Sequence, residues 1–373
     1  MSFLPFLLLI SGLLIAFANG ANDNFKGVAT LLGSGVASYR KALVWATLTT
    51  GLGSVTALFL AQGLLAAFSG KGLLPPEVVD QPSFACAVPL AAGSTVLLAT
   101  RYGFPISTTH ALIGALVGAG LVASPAGIQT DQLLHALLLP LLLSPVLAVL
   151  LAVVVYPVLR SLRVRSGISK ETCVCVGERV IGSVPGTPGA QAAMDMVRLP
   201  ELTTGTEATC QIRYNGALLG VRAQPVLNGT HFLSAGAVSF ARGLNDTPKI
   251  AGLLLVGGGL SATPAISAVA VTMAVGGWLG ARRVAETMSH KVTSLNSGQG
   301  FTANMITTGL VIAASRYGLP VSTTHVSCGS LFGIGTVTGQ AQWRTIGSIL
   351  LAWGITLPVA GLLAAAIASL LQA

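Results

Sequence analysis

The sequence predicts an all-α polytopic membrane protein made of two inverted-topology repeats with re-entrant helical hairpins, plus a small β-rich cytoplasmic insert. Three observations predict it. Of the 373 residues, 53% are hydrophobic and only 8% charged, where a soluble domain carries roughly 25%; a core of this size could not hide so much apolar surface. Two polar motifs occur in the same order in both halves of the chain. Equivalent loops of the two halves carry opposite charge bias.

The apolar runs come first. Ala42–Phe68, Leu133–Leu159, Ala262–Leu279 and Ile346–Leu371 reach or approach the ~20 residues that cross a bilayer. The opening stretch, "MSFLPFLLLISGLLIAFANGAND", has the apolar core of a signal peptide but no basic n-region. It reads as a retained first membrane helix. The formal charge of +9 fits Lys and Arg collecting in cytoplasmic loops. With no basic run interleaved by aromatics, no nucleic-acid partner is expected. The expected location is the plasma (inner) membrane, multi-pass, with the lipid bilayer as the main partner.

The repeat follows. "ATRYGFPISTTH" (99–110) and "ASRYGLPVSTTH" (314–325) share nine of twelve residues at an offset of 215. Upstream, "GANDNFKGVATLLGSG" from Gly20 matches "GLNDTPKIAGLLLVGG" from Gly243, each with Gly-x-Asn-Asp and a Lys three residues past the Asp. Charge then sets orientation. Arg40 and Lys41 follow the first helix and place that turn inside, whereas its counterpart "GGGLSATP" (257–264) is uncharged. In the next loop the pattern reverses: half one has one Lys against two acids, half two has Arg282, Arg283 and Lys291. Arg160, Arg163, Arg165 and Lys170 close half one on the inside. The halves are therefore expected to be inverted, with both chain termini outside and a substrate site near the midplane.

The chain accordingly divides into repeat 1 (1–165), an insert (166–230) and repeat 2 (231–373). The insert holds five of the eleven acidic residues and alternates in short runs such as "TCQIRY", as β-strands do. Its Cys173, Cys175 and Cys210 offer three thiols without a fourth ligand, so free reduced thiols are expected rather than a metal site.

Only Asp23 and Asp246 lie beside membrane-depth segments, and they are repeat equivalents. A carboxylate there costs at least ~2.5 kcal/mol and needs a polar cavity and a partner. Gly103–Pro105 and Gly318–Pro320 interrupt apolar arms of about seventeen residues, 84–100 and 301–315, short for a full span. Re-entrant hairpins are expected, with Ser107, Thr108, Thr109 and Ser322, Thr323, Thr324 at the N-termini of the outgoing helices. Free N–H groups, the positive end of the dipole and three hydroxyls suit an oxyanion. His110 and His325 are candidates for proton transfer or for structural hydrogen bonding. Arg101 and Arg316 reach either the anion or the carbonyl end of the incoming arm. Every polar group is twinned, no asymmetric nucleophile–base dyad exists, and the five His lack zinc spacing. No enzyme, catalytic residue or metal centre is expected.

At these residues the chain resembles the PiT family of inorganic phosphate transporters. The resemblance rests on "GANDNFKGVA", "GLNDTPKIAG" and the two "STTH" loops, and covers nearly everything outside the insert. It implies a twelve-segment inverted repeat and a secondary transporter holding phosphate between the hairpin tips. Asn22, Asp23, Asn245 and Asp246 would then form a cation side, for Na+ or H+ as coupling ion. One departure stands out: the family reads Asn-Asp-x-x-Asn, and here Lys26 and Lys249 replace the last Asn in both halves. An ammonium can fill the electrostatic role of a bound sodium ion, or both Lys can snorkel to the interface. Substitution for sodium would make transport sodium-independent and could favour sulfate. An anion channel is the less favoured rival, and no other cofactor is implied. A homodimer would be unsurprising, with Trp343 and Trp353 of the last span at a membrane or subunit interface.

Overall fold

The computed structural model describes residues 3–70, 72–184, 195–206, 219–256 and 261–372. Cys210 and the whole "TCQIRY" run lie outside them. The chain forms two units, one of Met1–Tyr156 with His231–Ala373 and one of Pro157–Thr230.

The larger unit is helical. In order it contains α1 (Phe3–Asp23), α2 (Ala29–Gly33), α3 (Tyr39–Leu60), α4 (Gln62–Ala67), α5 (Pro76–Val79), α6 (Pro82–Arg101), α7 (Thr108–Ala123) and most of α8 (Leu139–Arg165). From His231 on it contains the rest of α9 (Ala223–Leu255), then α10 (Ala262–Gly280), α11 (Arg282–Glu286), α12 (Ser297–Arg316), α13 (Thr323–Thr338) and α14 (Trp343–Gln372). Six helical stretches among the described residues are long and apolar enough to cross a membrane, including Pro82–Arg101 and Trp343–Gln372. Their outward faces carry exposed leucines and valines, as lipid-facing helices must.

Both incoming hairpin arms are longer than the seventeen residues expected. Pro82 starts α6 at a position where its missing N–H costs nothing, and the helix then runs twenty residues to Arg101; α12 also has twenty, started by an Asn296–Gln299 capping box. Each arm ends at a glycine with positive φ, Gly103 at +75° and Gly318 at +67°. The Phe104 N–H donates to the Ala99 carbonyl and the Leu319 N–H to the Ala314 carbonyl, the six-to-one bond of a glycine-terminated helix. The chain then returns as a short extended segment before α7 or α13 begins.

Close packing around the site depends on small residues. A Cβ on Gly20 would overlap the Met273 carbonyl of α10, and one on Gly118 of α7 would overlap the Gly361 carbonyl of α14. Without a hydrophobic drive between helices in lipid, such backbone contact supplies much of the association.

In the smaller unit β1 (Thr172–Val184) lies between β2 (Asp195–Thr206) and β3 (Leu219–Arg222), all antiparallel. Its cysteines depart from the expectation of free thiols. Cys173 is free and buried, whereas Cys175 is disulfide-bonded, so it offers no thiolate to a metal.

Candidate functional site

The Asn-Asp-Lys motifs sit on broken or distorted helix. In half one α1 stops at Asp23 and a 3-10 turn over Lys26–Val28 leads into α2. In half two α9 runs through Asn245 and Asp246 unbroken, with Pro248 inside it. The two asparagines pin the hairpins. Asn22 Nδ2 donates to Thr100 Oγ1 (2.8 Å) and to the Phe104 carbonyl (3.0 Å), while its Oδ1 accepts from the Ile106 N–H at 3.2 Å. Asn245 Nδ2 donates to the Val321 carbonyl (3.1 Å), and its Oδ1 accepts from Ser315 at 3.3 Å.

Lys26 and Lys249 do not snorkel. They are 4% and 1% exposed and their ammonium groups point inward. Lys26 Nζ donates to Asp23 Oδ1, Asn22 Oδ1 (2.6 Å), the Ile106 carbonyl (2.8 Å) and Thr324 Oγ1 (2.7 Å). Lys249 Nζ donates to the Val321 carbonyl (2.6 Å) and Thr109 Oγ1 (2.9 Å), and lies 3.6 Å from Asp246 Oδ1. Ile106 aligns with Val321, and Thr109 with Thr324. Each lysine therefore binds a carbonyl of its own half's hairpin and a threonine of the other's.

The carboxylates close the ring. Thr108 Oγ1 donates to Asp23 Oδ2 at 3.0 Å and Thr323 Oγ1 to Asp246 Oδ2 at 3.4 Å. Asn19 Nδ2 touches both acids, at 2.7 Å from Asp23 Oδ2 and 3.4 Å from Asp246 Oδ2. The cluster is closed: Asn19, Thr108, Thr109, Asp246 and Lys249 meet with no room for a water molecule between them. Ser107 and Ser322 act as N-caps, accepting from the His110 and His325 N–H groups at 3.1 and 3.2 Å.

Sequence reasoning missed Arg242. It aligns with Asn19 at the same offset that relates the Asp pair, so the upstream repeat "AFANGAND" against "SFARGLND" held the signal: one charged residue at a twinned neutral position. Arg242 is 1% exposed. Its guanidinium donates to Asn19 Oδ1 (2.6 Å) and Asn24 Oδ1 (3.1 Å), with Nε 3.8 Å from Asp246 Oδ2. The cluster thus holds three cations and two carboxylates, and one positive charge has no buried counterpart within it.

His110 and His325 face each other across the two tips, ring centroids 4.4 Å apart. His325 also stacks on Trp353 at 3.9 Å, and Trp353 Nε1 donates to the Pro105 carbonyl at 2.9 Å. Trp353 is therefore a core residue beneath the hairpin rather than an interfacial one; of the two, Trp343 is the exposed one. Arg101 and Arg316 are exposed in the last turns of α6 and α12. They stand at carbonyl ends, where cations are favourable, and make no hydrogen bond to the ring.

The family model for phosphate transporters matches residues 19–364, from Asn19 through both hairpins to α14. The chain belongs to the phosphate transporter family. A protein named as a phosphate permease in Pyrococcus horikoshii is 27% identical, over 96% of this chain and 95% of its own. The chloroplast inorganic phosphate transporter 2-1 of Arabidopsis thaliana is also 27% identical, over 97% of this chain and 71% of its own. Among solved structures, one described as the sodium-dependent phosphate transporter superposes with a TM-score of 0.76 at 21% identity, covering 100% of this chain and 99% of that one. That likeness is one of fold. Membership makes the chain a multi-pass transporter rather than an enzyme.

Proposed function

We propose that the chain is a secondary active phosphate transporter that works by alternating access in the plasma membrane, with two inverted halves, termini outside and the insert cytoplasmic. One observation carries the reading. The N-termini of α7 and α13, each sixteen residues long, converge on a buried cluster with a surplus positive charge. Each helix start contributes about half a positive charge, and the hydroxyls of Thr109, Ser107 and Ser322, which only accept in the resting site, keep a proton to donate, so an oxyanion gains from both ends. Phosphate would enter between Thr108–Thr109 and Thr323–Thr324, drawing on Lys26, Lys249 and Arg242 while Ser107 and Ser322 hold the tips.

The two lysines take the place of coupling cations. Lys26 Nζ lies among a carboxylate, an amide oxygen, a backbone carbonyl and a hydroxyl, the hard oxygen donors that an alkali or alkaline-earth ion prefers. With a tethered ammonium there, sodium is excluded by charge and by space, and transport proceeds without it. The test is counterflow in proteoliposomes. Labelled phosphate should accumulate against unlabelled internal phosphate equally in choline and sodium buffers. Flux without exchange, at rates beyond carrier turnover, would make the protein a channel, and preference for labelled sulfate would reassign the substrate.

A further inference from the structure

A second basic feature lies outside this site. Helices α6 and α10 pack on either side of α1 and leave a groove of about 700 Å³ over it, within the roughly 300–1,000 Å³ range of ligand sites. Phe17 and Ala21 of α1 form the floor, and Leu97, Leu98 and Leu279 form the walls. The walls open outward: Leu98 is 54% and Leu279 75% exposed. At one end Arg101, Arg282 and Arg283 close the groove, where Arg283 donates to the Arg101 carbonyl and so ties α11 to the end of α6. Arg282 is paired with Glu286 at 3.4 Å. Among the described residues no carboxylate pairs with Arg101 or Arg283, and both side chains are exposed. Tyr102 and Trp278, also exposed, flank the basic end, as aromatics do at headgroup level.

We propose that this groove binds one anionic phospholipid, its phosphate against Arg101 and Arg283 and one acyl chain between α6 and α10. Apolar walls with a basic end match an amphiphilic anion, and a small hydrated ion has no use for the leucines. Basic pockets between membrane helices hold anionic headgroups by this combination. The site bears on transport through the next residue: Thr100 accepts from Asn22 at 2.8 Å, so a lipid that fixes the end of α6 also fixes the first hairpin.

The test uses the full chain, delipidated in detergent and titrated with phosphatidylglycerol or phosphatidylcholine, with bound lipid counted by native mass spectrometry. Phosphatidylglycerol should be preferred, and Arg101→Gln with Arg283→Gln should lower its affinity about 25-fold, at roughly fivefold per arginine. Arg344→Gln, an exposed arginine elsewhere, should change nothing. Leu98→Trp, which fills the groove and leaves every arginine in place, should also displace the lipid. If the double Gln variant does not fold, Arg101→Lys with Arg283→Lys should fold and keep the preference. Equal retention of the two lipids overturns the proposal, as does an effect of Arg344→Gln as large as the double variant's. Displacement of the lipid by excess inorganic phosphate would instead make the groove a vestibule for the substrate.

Discussion

Replacing both lysines with the residue the family usually carries there, Lys26→Asn with Lys249→Asn, should convert this protein into one that sodium stabilises. In the native site Lys26 holds four oxygens, three of them at 2.6–2.8 Å, and neutralises Asp23, which is 1% exposed. Removing one partner of a buried ion pair costs about 3–5 kcal/mol, since the other charge stays buried and uncompensated. The shorter Asn leaves a gap among those oxygens that a dehydrated sodium ion can fill. At a hundred times its dissociation constant, a bound ion returns about 2.7 kcal/mol per site, so sodium should recover more than half of the loss. The assay is thermal unfolding of purified protein in sodium, potassium or choline chloride at equal ionic strength. The native chain should melt at one temperature in all three. The double variant should melt lower in choline and potassium and recover selectively in sodium, with each single variant showing part of the effect. A native chain that sodium stabilises, or a double variant indifferent to the cation, would refute the substitution of ammonium for sodium.

Three further perturbations follow from the same geometry. Arg242→Gln removes the ion pair with Asp246 and four charge-assisted hydrogen bonds, to Asn19 Oδ1, the Asn19 carbonyl, Asn24 Oδ1 and Thr50 Oγ1, each worth about 1.5–3 kcal/mol at best, and should weaken phosphate binding in a filter assay by at least tenfold, with Arg242→Lys recovering only part because it lacks the planar fork. Thr324→Val deletes a hydroxyl that accepts from Lys26 at 2.7 Å and donates to the Ile106 carbonyl at 3.0 Å; the lost partner costs about 1–3 kcal/mol, and Thr324→Ser should restore both folding yield and affinity. Gly118→Val should abolish folded yield in size-exclusion chromatography, because any side chain there meets the Gly361 backbone. Gly354→Ala, with open space around it, should stay within about 0.5 kcal/mol of the native chain.

The parts legible in the sequence were those written locally or written twice. Gly103 and Gly318 announced the turns because a helix that ends at a positive-φ glycine needs no long-range information. Ser107 and Ser322 announced the outgoing helices for the same reason, as N-caps of the residues that follow. The repetition of Asn-Asp and Lys made a buried polar site readable, since a charge at membrane depth is costly and two in register are not an accident of composition. What escaped depended on contacts far apart in the chain. Trp353 looked like an interfacial aromatic; its partner, the Pro105 carbonyl, lies 248 residues away. Arg242 departs from the symmetry of the halves: its counterpart is the neutral Asn19, so repetition does not mark it. The hairpin arms extend beyond their apolar stretches because Pro82 and Ser297 each take a first helical position, Pro82 where its missing N–H costs nothing and Ser297 behind the Asn296 cap.

The most direct test of the central claim is equilibrium binding of labelled phosphate to the purified protein, measured in choline chloride and again in sodium chloride. The site described predicts one dissociation constant in both salts and its weakening in the double Asn variant unless sodium is present. Phosphate binding by the native chain only when sodium is added would contradict it, and would return Lys26 and Lys249 to a purely structural role.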